Sequence, residues 1–96
     1  MHPINSINGV NEMKAETLQR KLPKLEDYDG NMVEVPSWIW DGVVHVSTEH
    51  NVYTGDYYGE FGQGYPTINQ KLEDWAEKHG MFWEWYNPGS ITLYKF

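Results

Sequence analysis

The sequence contains no cysteine, so neither a disulfide nor a thiolate metal site can stabilise the fold. It also has no apolar run that approaches the ~18–20 residues of a membrane-spanning helix. The 96 residues predict one domain, and a chain this short buries only about 60–70% of the surface that its unfolded form exposes. Aromatic residues make up 16% of the chain, and their large rings are expected to compensate for a small core.

Lysine and arginine are absent between Leu25 and Gln70. This stretch holds eight acidic residues, whereas the other six acids of the chain are balanced by its seven cations. Nearly all of the net charge of −7 therefore lies in one acidic block, residues 25–70. Such a block attracts cationic partners and repels nucleic acid and anionic lipid. The acids of the block are Glu26, Asp27, Asp29, Glu34, Asp41, Glu49, Asp56 and Glu60.

The chain begins without the basic and apolar segments of a secretory signal, so we expect a cytoplasmic location. Residues 1–10 are polar and contain Pro3 and Gly9, which predicts a flexible N-terminus. Residues 11–96 are expected to form the single domain.

The first half of that domain predicts a helix and then short strands. Asn11 is a good cap for a helix over 12–22, which Pro23 would end. A turn is expected over residues 25–31. Asp41-Gly42 is typical of the type I′ turn of a β-hairpin. The strands around these turns are expected at 32–35, 38–40 and 43–46, with a helical turn beginning at Pro36 as the alternative for residues near Trp38.

The second half predicts a strand around Gly59, then a helix and a second hairpin. Asn69 is a good N-cap for a helix that reaches His79, and Gly80 follows where a left-handed C-cap belongs. Strands are expected over 81–86 and 91–96, joined by a type II turn over 87–90. We therefore predict an α+β domain in which two helices pack on a small antiparallel sheet of three to five strands. The rings expected in its core are Trp75, Trp83 and Trp85.

Patterns that could bind a metal or a phosphate are weak. His45, Glu49 and His50 lack the spacing of a zinc-binding helix, and in a strand the two histidines would point to opposite faces. The glycines of residues 59–64 are followed by no cation until Lys71, and nearby acids would repel phosphate. We therefore predict no metal site and no cofactor.

Asp56 and Glu60 are spaced like the paired carboxylates of a glycosidase, but they fit a solvated acidic loop equally well. No serine stands in a context that suggests a catalytic triad. We therefore predict that the protein is not an enzyme.

Tyrosines are interleaved with the acids in a glycine-rich segment, a composition common at recognition surfaces. At least two of Tyr53, Tyr57, Tyr58 and Tyr65 are expected to be exposed. The acidic block is therefore expected to bind a basic protein surface, with no direct contact to nucleic acid or membrane. The predicted binding residues are Glu26, Asp27, Asp29, Asp41, Asp56, Glu60, Tyr53, Tyr57 and Tyr58.

In its size, its acidity and its lack of catalytic motifs the chain resembles the small inhibitors that phages use against bacterial defence, such as anti-CRISPR proteins and antirestriction DNA mimics. The resemblance covers composition alone. It implies an intracellular inhibitor that blocks a defence nuclease or its nucleic-acid-binding surface. The locally basic helix over 12–22 indicates a dipolar molecule and not a uniform mimic of DNA.

The alternative is a module that binds a carbohydrate or another small ligand. Trp38, Trp40 and the tyrosines would then stack on the ligand, and the acids would accept hydrogen bonds from its hydroxyls. Salt separates the two hypotheses, because binding through the acidic block weakens as salt rises and stacking on a sugar does not.

Overall fold

A computed structural model describes residues 14–49, 53–59 and 66–96. Within these ranges the chain forms two helices and eight strands. No described helix is long and apolar enough to cross a membrane. In chain order the elements are α1 (Ala15–Arg20), β1 (Leu25–Glu26), β2 (Met32–Val33), β3 (Ser37–Trp40), β4 (Val43–Ser47), β5 (Gly55–Asp56), β6 (Thr67–Ile68), α2 (Gln70–Lys78), β7 (Met81–Asn87) and β8 (Ser90–Lys95).

The main sheet is antiparallel with the strand order β3-β4-β8-β7. Two short ladders, β1-β2 and β5-β6, lie apart from it. The predicted α+β class is confirmed. The four strands of the main sheet lie within the predicted three to five, but the total strand count and the sheet layout differ from the prediction, because β1–β2 and β5–β6 form two further two-stranded sheets.

Both helices pack on one face of the main sheet. α1 lies against β3 and β4, and α2 lies against β7. The core between these layers joins helix residues to alternate strand residues, which share one sheet face. Its buried members include Leu18, Leu72, Trp75, Val44, Val46, Trp83, Ile91 and Leu93. The predicted core role of Trp75 and Trp83 is confirmed, and Trp85 packs against the same cluster while partly exposed.

The first helix is shorter than predicted. It ends at Arg20, with Lys21 as the cap, because Leu22 precedes Pro23 and is therefore disfavoured in the helical conformation. Lys14 occupies the N-cap without a side-chain hydrogen bond. Asn11, the predicted cap, lies outside the described residues.

The second helix has the predicted ends. The Asn69 side chain accepts a hydrogen bond from the backbone N–H of Lys71 at 2.8 Å, as an N-cap does. Gly80 follows the helix with a φ of 72°, the left-handed conformation expected of a glycine C-cap.

Two turn predictions had different outcomes. Asp41 and Gly42 both have positive φ, 54° and 74°, so the type I′ hairpin is confirmed and the alternative helical turn from Pro36 is wrong. The prediction of a type II turn after β7 is wrong, because Gly89 lacks the positive φ that this turn requires. Instead, the Asn87 side chain accepts hydrogen bonds from the Gly89 N–H and the Ser90 hydroxyl.

The prediction of a strand around Gly59 is also wrong within the described residues. Tyr57 and Tyr58 form a turn, and the strand lies earlier, at β5. Gly59 has a φ of 67°, which ends the extended run. The predicted flexible residues 1–10, together with Phe61, lie outside the described ranges.

Candidate binding surfaces

The fold joins two parts of the acidic block through a pair of tyrosines. Tyr28, in the β1–β2 turn, meets Tyr53 edge to face with ring centroids 5.8 Å apart. The turn with its acids therefore lies beside the segment that leads into β5. We call the resulting surface the acidic–tyrosine surface, and its residues are Glu26, Asp27, Tyr28, Asp29, Tyr53, Asp56, Tyr57 and Tyr58.

The acids of the β1–β2 turn differ in role. The Asp27 carboxylate accepts hydrogen bonds from the backbone N–H groups of Asp29 and Asn31, both at 2.9 Å. Asp27 therefore holds the turn in shape. Glu26 and Asp29 are exposed. These two carboxylates are the ones that the turn leaves exposed to solvent.

The tyrosines of the β5 segment also divide into two roles. Tyr57 contacts Tyr58 and Trp85 edge to face, with ring centroids 5.2 Å and 5.1 Å away. Tyr57 and Tyr58 are exposed, whereas Tyr53 is half-buried against the core. The expectation that at least two of the four tyrosines are exposed is confirmed by this pair. Tyr65 lies outside the described residues.

Two predicted site residues do not join this surface. Asp41 occupies the tip of the β3–β4 hairpin, about 13 Å along β3 from Ser37 at roughly 3.3 Å per residue. That tip lies at the opposite end of the sheet from the strand end that Tyr53 and Thr54 adjoin. Glu60 lies outside the described residues.

The side of the molecule around α1 carries mixed charge. A groove of about 550 Å³ is lined by Arg20 and Lys24 together with Glu34. Glu34, an acid of the block, therefore shares this groove with two cations.

The face of the main sheet away from the helices is covered by no described element, and it is aromatic. Strand register sets its residues in two rows across the sheet. One row runs Trp38, His45, Thr92, Glu84, and the next row contains the two pairs Trp40–Val43 and Tyr94–Phe82, beyond the last β4–β8 pair. We call this surface, together with Tyr86 and Phe96, the open aromatic face.

Large rings on this face are exposed to solvent. Trp40 is 60% exposed, Tyr86 59% and Phe96 82%. Trp38 and Tyr94 are exposed to a smaller extent. The stacking platform expected from the sequence contains Trp38 and Trp40 but not Tyr86, Tyr94, Phe82 or Phe96, which also lie on this face. The alternation of these residues along β7 and β8 indicates that they share one face of the sheet. It does not indicate which face the helices cover.

His45 lies at the centre of the open aromatic face and is only 4% exposed. The Trp38 ring stacks on its imidazole with centroids 5.5 Å apart, and Trp40 and Tyr86 flank it at 6.1 Å and 5.9 Å. Nδ1 is hydrogen-bonded to the Thr92 hydroxyl at 3.1 Å. Nε2 is buried and has no hydrogen-bond partner among the described residues.

The metal hypothesis for His45, Glu49 and His50 gains no support from the described residues. In that part of the chain, no three histidine, aspartate or glutamate side chains are grouped as metal ligands. His45 is enclosed by aromatic rings, and Glu49 lies near Gly89. His50 lies outside the described ranges.

One carboxyl on α2 has a shifted pKa. Partial burial of the Glu73 carboxyl, and then the neighbouring carboxylates of Asp74 and Glu77, raise its pKa above the ordinary value of 4.5. Asp74 is also the acceptor of a hydrogen bond from Gln70 at 2.9 Å. These acids lie on α2, outside the acidic–tyrosine surface.

Comparison with protein-family models, curated proteins and solved structures finds no match for this chain. The function is therefore inferred from the chemistry of the two surfaces.

Proposed function

We propose that this chain is a non-catalytic binding protein that presents the acidic–tyrosine surface to a basic partner. The partner class is a cytoplasmic protein that handles nucleic acid, and the role is inhibition of the kind that phage anti-CRISPR proteins and nuclease inhibitors perform. Carboxylates occupy the positions that phosphates would take on the partner, so the chain needs no contact with nucleic acid itself.

The observation that carries the proposal is the joining of two acidic segments by the Tyr28–Tyr53 contact. Glu26 and Asp29 are exposed on one side of this contact, and Tyr57 and Tyr58 are exposed on the other. Tyrosines offer contact area at low cost in conformational entropy, and the carboxylates offer charge complementarity. No lysine or arginine lies in residues 25–70 to neutralise these carboxylates from within the block.

A capture experiment with matched baits tests the proposal. The wild-type protein and the Glu26→Lys/Asp29→Lys variant are immobilised and exposed to bacterial lysate at low and high salt, with identification by mass spectrometry. Glu16→Lys/Glu77→Lys is the control, because it makes the same change in net charge at exposed positions on the helices. We expect a basic nucleic-acid-binding protein that the wild type and the control capture and the turn variant does not. Equal capture by all three baits would contradict the proposal.

A specific observation favours a second candidate function, the binding of a small ligand or carbohydrate. Trp38 and Trp40 are exposed on the open aromatic face, where sugar rings could stack on them. Binding of this kind is expected to change little with salt. A titration with oligosaccharides, followed by tryptophan fluorescence at two salt concentrations, tests it. A flat titration would exclude this candidate.

A further inference from the structure

The open aromatic face is large for the surface of a monomer. If a fully exposed ring presents roughly 200 Å², its five exposed rings leave about 570 Å² of aromatic surface in solvent. This lies at the upper end of the roughly 300–600 Å² that the largest apolar patch of a typical monomer covers. It is also most of the roughly 800 Å² per partner that a standard protein interface buries. The area therefore matches a protein-sized occupant.

Charge indicates which protein the face would accept. Of the residues in its two rows, Glu84 alone is charged. A basic partner would find few carboxylates here. A second copy of this chain carries the same net charge of −7, but within the two rows Glu84 is the one carboxylate. The α2 acids Glu73, Asp74 and Glu77 approach this face only at Phe82 and Phe96, with which they line a groove. We propose that two copies of the chain associate through their open aromatic faces and form a sheet-on-sheet dimer.

The strand register makes the face complementary to itself. A two-fold axis along the strands reverses each row in the second copy, because it exchanges the two edges of the sheet. Trp40 then lies over Phe82 of the second copy, and Trp38 lies over Glu84 of the second copy near the rim. Sheets packed face to face lie about 10 Å apart, which the interleaved rings can fill.

His45 lies beneath the centre of the open aromatic face. Its Nε2 is buried without a partner among the described residues, which costs free energy in the monomer. In the reversed arrangement, His45 lies over Thr92 of the second copy. Both side chains are buried in the monomer, so this pair lies beneath the rings that would form the contact, at the centre of the interface.

Two tyrosines provide a matched pair of variants. Tyr86 is 59% exposed and lies on the open aromatic face, whereas Tyr58 is 68% exposed and lies on the acidic–tyrosine surface. Tyr86→Glu and Tyr58→Glu make the same chemical change at similar exposure. Trp40→Ser is a second face variant, and melting curves check that each variant folds.

Sedimentation velocity of the full chain, from roughly 1 μM to 1 mM protein, measures the association. We expect a concentration-dependent monomer–dimer equilibrium for the wild type and for Tyr58→Glu. Tyr86→Glu and Trp40→Ser are expected to raise the dissociation constant at least tenfold. A wild type that stays monomeric over the whole range would overturn the proposal, as would equal dimerisation of all variants. A monomer that binds an oligosaccharide through Trp40 would assign the face to a sugar instead.

Discussion

At Gly55 the chain passes so close to the sheet that a side chain has no room. A Cβ added there would lie 2.9 Å from Cη2 of Trp85 and 3.0 Å from Cγ2 of Thr48. The neighbouring ring is itself held by its contact with Tyr57. Gly55 therefore allows the β5 segment, with its exposed tyrosines, to sit against the core.

The Gly55→Ala variant is expected to destabilise the protein by about 1–3 kcal/mol, because overpacking forces the Trp85 ring or the backbone to move. Chemical denaturation with fluorescence detection measures the change. Gly42→Ala is an informative comparison, since a Cβ there meets nothing within 4 Å and any cost comes from its positive φ. Full stability of Gly55→Ala would contradict the close approach of β5 to Trp85.

Glu73 makes stability depend on pH. Its pKa is raised in the folded state, so the folded protein binds a proton more readily than the unfolded chain does. The contribution of Glu73 to stability therefore falls as pH rises from the unfolded pKa, near 4.5, through the higher folded pKa. At neutral pH the ionised carboxylate is unfavourable beside Asp74 and Glu77.

Glu73→Gln is expected to melt at a higher temperature than the wild type at pH 7, and the difference should shrink below pH ~4.5, where both side chains are neutral. Differential scanning calorimetry across this range measures it. Glu16→Gln, at an exposed position on α1, is the control for removing a carboxylate elsewhere. If the difference in melting temperature between Glu73→Gln and the wild type grew on acidification, a raised pKa of Glu73 in the folded state would be contradicted.

At the scale of elements, the parts encoded by neighbouring residues could be predicted. The Asp41-Gly42 turn and the Asn69 and Gly80 caps depend on local backbone chemistry, and each appears where expected. The turn after β7 could not be predicted from Pro88 and Gly89 alone, because the Asn87 side chain offers competing hydrogen bonds. The pairing of β5 with β6 spans residues far apart in sequence, and no local signal indicates it.

Trp83 joins α2 to the sheet, and its loss tests that packing. The ring lies 6.2 Å from Trp75, and its Nε1–H donates to the Leu72 carbonyl at 2.9 Å. Trp83→Ala is expected to cost about 3–5 kcal/mol in the free energy of unfolding. Tyr58→Ala, at an exposed ring outside the open aromatic face, is the control and should cost far less. Denaturant titration measures the free energy of unfolding of both variants. An equal loss in the two would contradict the placement of Trp83 in the core.

At the scale of the whole molecule, the two surfaces lie in different places. The acidic–tyrosine surface is built around the end of the sheet where β4 leads into the β5 segment, whereas the open aromatic face lies opposite the helices. A dimer formed through the aromatic face would therefore leave two acidic–tyrosine surfaces available to partners. The composition of residues 25–70 indicated the first surface. The open aromatic face depends on which face of the sheet the helices cover. Contacts between distant parts of the chain decide this, and the alternation of residues along a strand does not reveal it.

Glu26 and Asp29 are proposed to bind a basic partner. The most direct measurement is the dissociation constant of the captured partner, by calorimetry at two salt concentrations, for the wild type, Glu26→Lys/Asp29→Lys and the Glu16→Lys/Glu77→Lys control. We expect the turn variant to bind at least tenfold more weakly and to lose most of its dependence on salt, with the control close to the wild type. Equal affinities for the wild type and the turn variant at both salt concentrations would contradict the claim.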